Sequence, residues 1–228
     1  GGNQNSFGRS GGGGRVAVFF DDASGFDLDA IQAAGGVNAG AGTVYLKGNA
    51  EPLGTLVLYN RDTTTDAAIP TPLSVGSNRF DRLRVGGGVR LDLAAEEPLT
   101  LAETTVTNAI VAFTGDVSGP DLWLCDGQWT LAGAFGYTRN VTLLGTSRLT
   151  HGEVDAEGLQ INALTVTVSS ASAISVNGKG STVRSGTTGR SGGSYGGRGQ
   201  DHSGVSGPVY GDAFLPTDLG AGGAGNYG

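Results

Sequence analysis

LRVGGGVRLDLAAEEPLTL, residues 83–101, decides the fold class. Its fragments LRV, VRLDL and LTL alternate apolar with polar, the period of a strand with one buried and one wet face. The pattern returns in LQINALTVTVSSASAISV, residues 159–176, as LQI, LTVTV and ISV. Gly, Asn, Asp and Ser stand between the fragments, so strands are short and turns frequent. Taking Leu83, Leu101, Leu122, Val141 and Leu159 as equivalent starts, the steps are 18, 21, 19 and 18 residues. A near-constant step predicts an all-β, parallel β-solenoid (β-helix), each coil laying its inner side chains on the coil below. At about 4.8 Å per coil, five rungs rise roughly 24 Å. The alternative is a β-sandwich, whose strands also recur at short intervals. Scarce two-residue hairpin signals and a small, aliphatic apolar set favour coils.

Outward from that stretch, RVAVFF (Arg15–Phe20) reads as a β-branched and aromatic strand. FDLDAIQAAGG reads as one short helix, with Phe26, Ala30, Ile31 and Ala34 near helical spacing and Gly35 placed to end it. Further strands are expected at 43–47 and 55–60. TTTDAAIPTP, with Pro70 and Pro72, reads as an excursion and the least structured part of the middle. Of 43 glycines, 24 fall in residues 1–14 and 178–228. The chain therefore divides into a Gly-rich head (1–14), an all-β body (15–177) and a Gly-rich packing or linking segment (178–228). Tyr195, Val209, Tyr210, Phe214, Leu215, Leu219 and Tyr227 are more apolar surface than a solvated tether needs. Glycines also recur every third residue, as at Gly186, Gly189 and Gly192, or Gly193, Gly196 and Gly199. That is the period of an extended helix whose glycine edge lies against another backbone.

Lys and Arg total 14 against 21 Asp and Glu, a net charge of −7. An acidic chain has no general grip on a phosphate backbone, so nucleic acid is excluded as a partner. RSGGSYGGRGQ is similar to disordered RNA-binding segments, but its charges are too balanced to hold RNA. The single Cys125 permits no internal disulfide and reads as a small buried hydrophobe. No apolar run is long enough to be a membrane span. Methionine is absent, and head and tail join into one Gly-rich passage without a seam. Both features lead us to expect a processed product, or one unit of a tandem array or homopolymer.

GGGGRVAVFF, SGFDLDAIQAAGG, GAGTVYLK, SGGSYGGRG and YGDAFLPTDLGAGG resemble the Gly-rich tandem repeats of giant bacterial surface and secreted proteins. The resemblance covers roughly half the chain and implies a right-handed parallel β-helix with an extracellular structural or adhesive role. The expected partners are copies of itself or adjacent repeats of the same chain, meeting through strand edges at Arg15–Phe20 and 164–176 to form a filament. Surface carbohydrate is a further expected partner.

The catalytic alternative is a polysaccharide-acting β-helix enzyme, a lyase or glycoside hydrolase, which needs two carboxyl groups on one face. Asp92, Glu96, Glu97, Asp116, Asp121, Asp126, Glu153, Asp155 and Glu157 are the candidates, most of them in turns or at strand ends where acids serve as solvated spacers. His151, beside a turn glycine, reads as surface, and His202 has no metal-ligand spacing around it. DDASGFDLD, with Asp21, Asp22, Asp27 and Asp29, offers oxygen ligands without the spacing of a calcium loop. Asn140-Val-Thr142 is a glycosylation sequon by letter alone. The expectation is no catalytic, cofactor or metal site.

Overall fold

A computed structural model describes residues 10–36, 39–61, 69–76, 79–152, 158–180, 186–214 and 218–223. The chain groups into two compact units, residues 1–149 with 161–174, and residues 150–160 with 175–228.

The chain is all-β. Its strands are β1 (Arg15–Phe20), β2 (Thr43–Gly48), β3 (Gly54–Tyr59), β4 (Thr71–Val75), β5 (Phe80–Gly86), β6 (Arg90–Ala95), β7 (Leu99–Thr100) and β8 (Glu103–Thr107). They continue as β9 (Ile110–Thr114), β10 (Val117–Cys125), β11 (Gln128–Ala132), β12 (Phe135–Leu144), β13 (Arg148–His151), β14 (Thr165–Val168) and β15 (Ala173–Ile174). One sheet runs β1-β2-β3-β5-β8-β10-β12-β14, with β7 also on β10; the other runs β15-β13-β11-β9-β6-β4. From β4 onward the chain alternates between the two sheets, except that β7 and β8 both lie in the first. Its pairings there are parallel, whereas the immunoglobulin-type sandwich weighed above needs antiparallel neighbours. Before that, β2 and β3 form an antiparallel pair.

The register corrects the repeat. Leu83 stands beside Thr104, Thr104 beside Leu122, Leu122 beside Val141, and Val141 beside Val166. Leu101 and Leu159 are therefore not the equivalent positions. Leu101 is fully buried just before β8, against Gly119, where a Cβ would overlap its carbonyl oxygen. Leu159 lies outside any strand and in the second unit. Thr104 escaped notice because its hydroxyl reads as polar, although it is buried.

Alternation puts Leu83, Leu122 and Val141 in one inward column and Val85, Val106, Leu124 and Leu143 in the next, all buried. On the other sheet Leu91 aligns with Val111 and Trp129, and Leu93 with Phe113 and Leu131. The core is thus less aliphatic than expected. Phe113 and Trp129 stack with centroids 6.0 Å apart, and Phe135 packs on Tyr137 at 4.9 Å. The first pair is diagonal between β9 and β11, and the second is two residues apart on one face of β12, so both bring rings together within the same inward layer.

One corner recurs in four successive passages from the first sheet to the second. Gly87, Asn108, Asp126 and Gly145, each just beyond the end of β5, β8, β10 and β12, have φ of 63°, 47°, 52° and 63°. These residue types enter the left-handed region at least cost. Successive corners are hydrogen-bonded, Gly88 N–H donating to Asn108 O at 2.7 Å, Asn108 N–H to Cys125 O at 2.9 Å and Asp126 N–H to Leu144 O at 3.1 Å.

The expected helix is a single 3-10 turn at Leu28–Ala30, with the Asp29 N–H donating to Asp27 Oδ1 at 3.0 Å. It goes no further because the following backbone finds partners elsewhere. Gly35 N–H donates to Asn60 Oδ1 at 2.9 Å, Gly36 N–H to Gly11 O at 3.0 Å, and Ala33 O accepts from Gly42 N–H at 2.7 Å. Most of the TTTDAAIPTP excursion lies outside the described residues, but its end opens β4. Pro72 is tolerated there because β4 is an edge strand.

In the second unit hydrogen bonds replace an apolar core. Thr188, Arg190 and Gly192 N–H groups donate to Val205, His202 and Gln200 carbonyls at 2.8–2.9 Å. Buried Ser194 donates to Gly207 O at 2.6 Å and accepts from Gly199 N–H at 3.0 Å. A Cβ at Gly199 would overlap Gly192 O, so this glycine marks a close approach of two backbones. At Gly196, in the same three-residue series, a Cβ would meet nothing within 4 Å. Tyr195 meets Tyr210 edge-on at 5.1 Å, and the Tyr210 hydroxyl donates to Leu219 O.

Candidate functional site

Three features of the first unit are open to other molecules: the two ends of its core and the outward face of the nine-stranded sheet. At the later end, β14 continues the inward columns with Val166 beside Val141 and Val168 beside Leu143. Val141 and Leu143 are fully buried, whereas Val166 is 45% and Val168 42% exposed. Ile174 on β15 pairs with buried Leu149 and is 38% exposed. The inward positions run out here with their apolar side chains uncovered.

At the earlier end, β1 pairs with β2 alone among the described strands. Phe19, 62% exposed, packs edge-on to Tyr45. Together they wall a groove of about 460 Å³ floored by Leu56, Leu73 and Phe80, with Arg15, Lys47 and Arg79 also lining it. The segments expected to be edges, Arg15–Phe20 and 164–176, thus include the outermost strands of both sheets. β4, the remaining edge, was not anticipated.

On the outward face, Arg84, Thr105, Trp123, Thr142 and Thr167 form one row, one residue per strand. Glu103, Asp121, Asn140 and Thr165 occupy the row beside it, again one residue per strand. Glu103 lies 3.4 Å from Arg84 Nε. Asp121 accepts from Arg139 Nε at 2.9 Å and from Asn140 Nδ2 at 2.7 Å. The Arg139 guanidinium, seconded by the Asn140 amide, holds the Asp121 carboxyl below its ordinary range.

Several of the remaining acids hold turns and neighbouring strands. Asp126 accepts from the Thr146 N–H at 2.9 Å and its hydroxyl at 3.1 Å, and these bonds lower its pKa. Asp116 caps Ala134 N–H at 2.9 Å, and Glu96 reaches Ser74 Oγ at 3.4 Å. Asp92 sits on β6 between Pro72 and Ala112. Glu97 lies in the turn beyond β6, and Glu153, Asp155 and Glu157 lie outside the described residues. Asp21 accepts from Asn49 Nδ2, Asp22 from Ser24, and Asp27 from Asp29 N–H. Among the described residues no three His, Cys, Asp or Glu side chains are grouped to hold a metal ion. No helix of the described residues is long and apolar enough to cross a membrane.

Two expectations are overturned. His151 is buried at 2% exposure, its Nδ1–H donating to Gly152 O at 2.7 Å. Cys125 is half-exposed and points outward, 3.9 Å from Asp126 Oδ2, because Leu124 takes the inward place before it. His202 contacts Ser203 Oγ at 3.2 Å within the second unit.

No family model matches the chain, and no curated protein or solved structure matches it. The geometry therefore carries the functional reading.

Proposed function

We propose that this chain is a structural subunit or tandem repeat of an extracellular bacterial fibre or adhesin. Its strand-alternating body acts as a right-handed parallel β-solenoid that meets another copy, or an adjacent repeat, end to end. The supporting observation is the uncovered end of the inward columns, where Val166 and Val168 follow fully buried partners. A further parallel strand laid on β14 would bury both side chains and pair the free backbone edge. The groove beside Phe19 supplies an apolar surface at the other end, as a head-to-tail contact requires. The Gly-rich segments contribute close backbone packing between copies. The resemblance of the head and tail to giant surface-protein repeats supports the extracellular placement.

The polysaccharide-cleaving alternative draws no support from the outward carboxylates. Asp121, held ionised by Arg139, is a poor proton donor.

Sedimentation over a wide concentration range, with electron microscopy of the concentrated sample, tests assembly. The expected result is concentration-dependent filaments for the native chain, lost in the Val166→Lys/Val168→Lys variant with its melting temperature little changed. A native chain that stays monomeric and folded throughout would refute the reading.

A further inference from the structure

Trp123 is 47% exposed on β10, an interior strand of the nine-stranded sheet. Among the described residues it is the one large apolar side chain so exposed on an interior strand; the other exposed ones on strands lie on β1, β14 and β15. About half of the indole is buried against its neighbours, and the other half leaves an apolar ring open to a ligand. Alternation alone does not require it, since the same row carries threonine before and after it.

Its surroundings define what would cover it. Trp123, Asp121, Asn140 and Thr142 line a recess of about 510 Å³. Thr105 lines that recess and also a second, of about 500 Å³, which extends past Arg84 to Val57 and Ile31. From β3 to β12 the two recesses cross five strands, roughly 19 Å at the usual strand spacing. The two recesses meet at Thr105 and together suit a chain laid across the strands.

The polar groups along it are held in place. Asn140 Nδ2 donates to Asp121 Oδ1, and Arg139 fixes the same carboxylate from the other side. Arg84 forms a looser ion pair with Glu103, Nε to Oε1 3.4 Å. Both carboxylates are neutralised by guanidinium groups and still have lone pairs to accept from hydroxyls. With a chain charge of −7, nothing here attracts a polyanion. A protein partner's apolar anchor would seek a deep, dry pocket, whereas this surface alternates one flat ring with hydroxyl, amide and carboxylate.

The geometry points to a binding trough for a neutral polysaccharide, with the apolar face of a sugar ring on the Trp123 indole and its hydroxyls on Asp121, Asn140 and Thr142. A pyranose has that split character, C–H groups on its faces and hydroxyls round its edge. The site lies wholly within one chain, so binding does not require assembly.

The test uses the full chain and a panel of soluble neutral glycans: xyloglucan, galactomannan, mixed-linkage β-glucan and dextran, with polygalacturonate as the anionic control. Affinity electrophoresis of the native chain should show retardation by at least one neutral glycan and none by polygalacturonate. Trp123→Ala should weaken that binding by about tenfold or more, the scale of one lost stacking contact, and Asn140→Ala by less, both with unchanged melting. Trp129→Phe makes Trp123 the sole tryptophan, and its emission should shift as the glycan is added. If that variant misfolds, the native chain and Trp123→Ala still decide the matter. The proposal is overturned if no neutral glycan retards the chain, if Trp123→Ala binds as well as the native protein, or if only the anionic glycan binds. It is also overturned if Trp123→Ala abolishes self-association without touching glycan binding, which would make this face a contact between copies. Loss of filaments in the Val166→Lys/Val168→Lys variant with glycan binding retained would separate the two readings.

Discussion

The Thr104 hydroxyl lies 2.7 Å from the Tyr137 hydroxyl inside the core, where Leu83 and Leu122 flank Thr104 on the adjoining strands. Both residues are buried, and burial pushes the Tyr137 phenol well above its ordinary pKa. Each hydroxyl is the other's partner in a place water does not reach.

Thr104→Val should therefore cost about 1–3 kcal/mol, because it strands a buried phenol. Tyr137→Phe should cost a similar amount by stranding the threonine hydroxyl. The Thr104→Val/Tyr137→Phe double variant should recover part of the loss, since two apolar groups of the same shape need no partner. Denaturant unfolding of all four proteins closes the cycle.

Leu122 and Val166 occupy the same inward column. Leu122→Ala empties a sealed site and should destabilise by roughly 2–5 kcal/mol. Val166→Ala removes a side chain already near half in water and should cost under about 1 kcal/mol in the separated chain. Its cost should rise when the measurement is repeated on assembled material, where a neighbour covers it.

Acid should weaken the corners and the outward face. Asp126 and Asp121 have lowered pKa values in the folded chain, from the Thr146 N–H and Arg139 respectively. A carboxyl whose folded pKa lies below its unfolded value of about 3.9 adds stability that is fully present above that value. The contribution disappears as pH falls through the folded pKa. Melting temperatures should show Asp126→Asn less stable than the native chain at neutral pH, with the gap closing below about pH 4.

Gly119→Ala and Gly199→Ala test close approaches in the two units separately. A methyl at Gly119 meets the Leu101 carbonyl, and one at Gly199 meets the Gly192 carbonyl, both backbone atoms that cannot swing aside. Each should destabilise by about 1–3 kcal/mol. Hydrogen exchange should localise the first loss to β7, β8 and β10 and the second to residues around 188–205.

Several strands were legible because alternation is a local property. Arg15–Phe20 was recognised to the residue, and the fragments at Leu83, Val89, Leu99, Leu164 and Ile174 all fall on or beside strands. The corners were not legible. Nothing local marked Asn108 and Asp126 as stacked on Gly87 and Gly145. Trp123 and the Asp121–Arg139 pair were missed because a tryptophan reads as core until its neighbours show it pointing outward.

By itself the sequence determined that the chain is all-β, that its strands are short, and that its glycines gather in distinct segments. Side-chain alternation and turn chemistry act within a few residues and need no partner to be read. Only the tertiary structure decided which strands adjoin, that Thr104 rather than Leu101 continues the inward column, that His151 is buried and Cys125 is not, and that Val166 and Val168 are left uncovered. Those outcomes depend on register between segments some twenty residues apart, and register is set by the packing of whole columns of side chains.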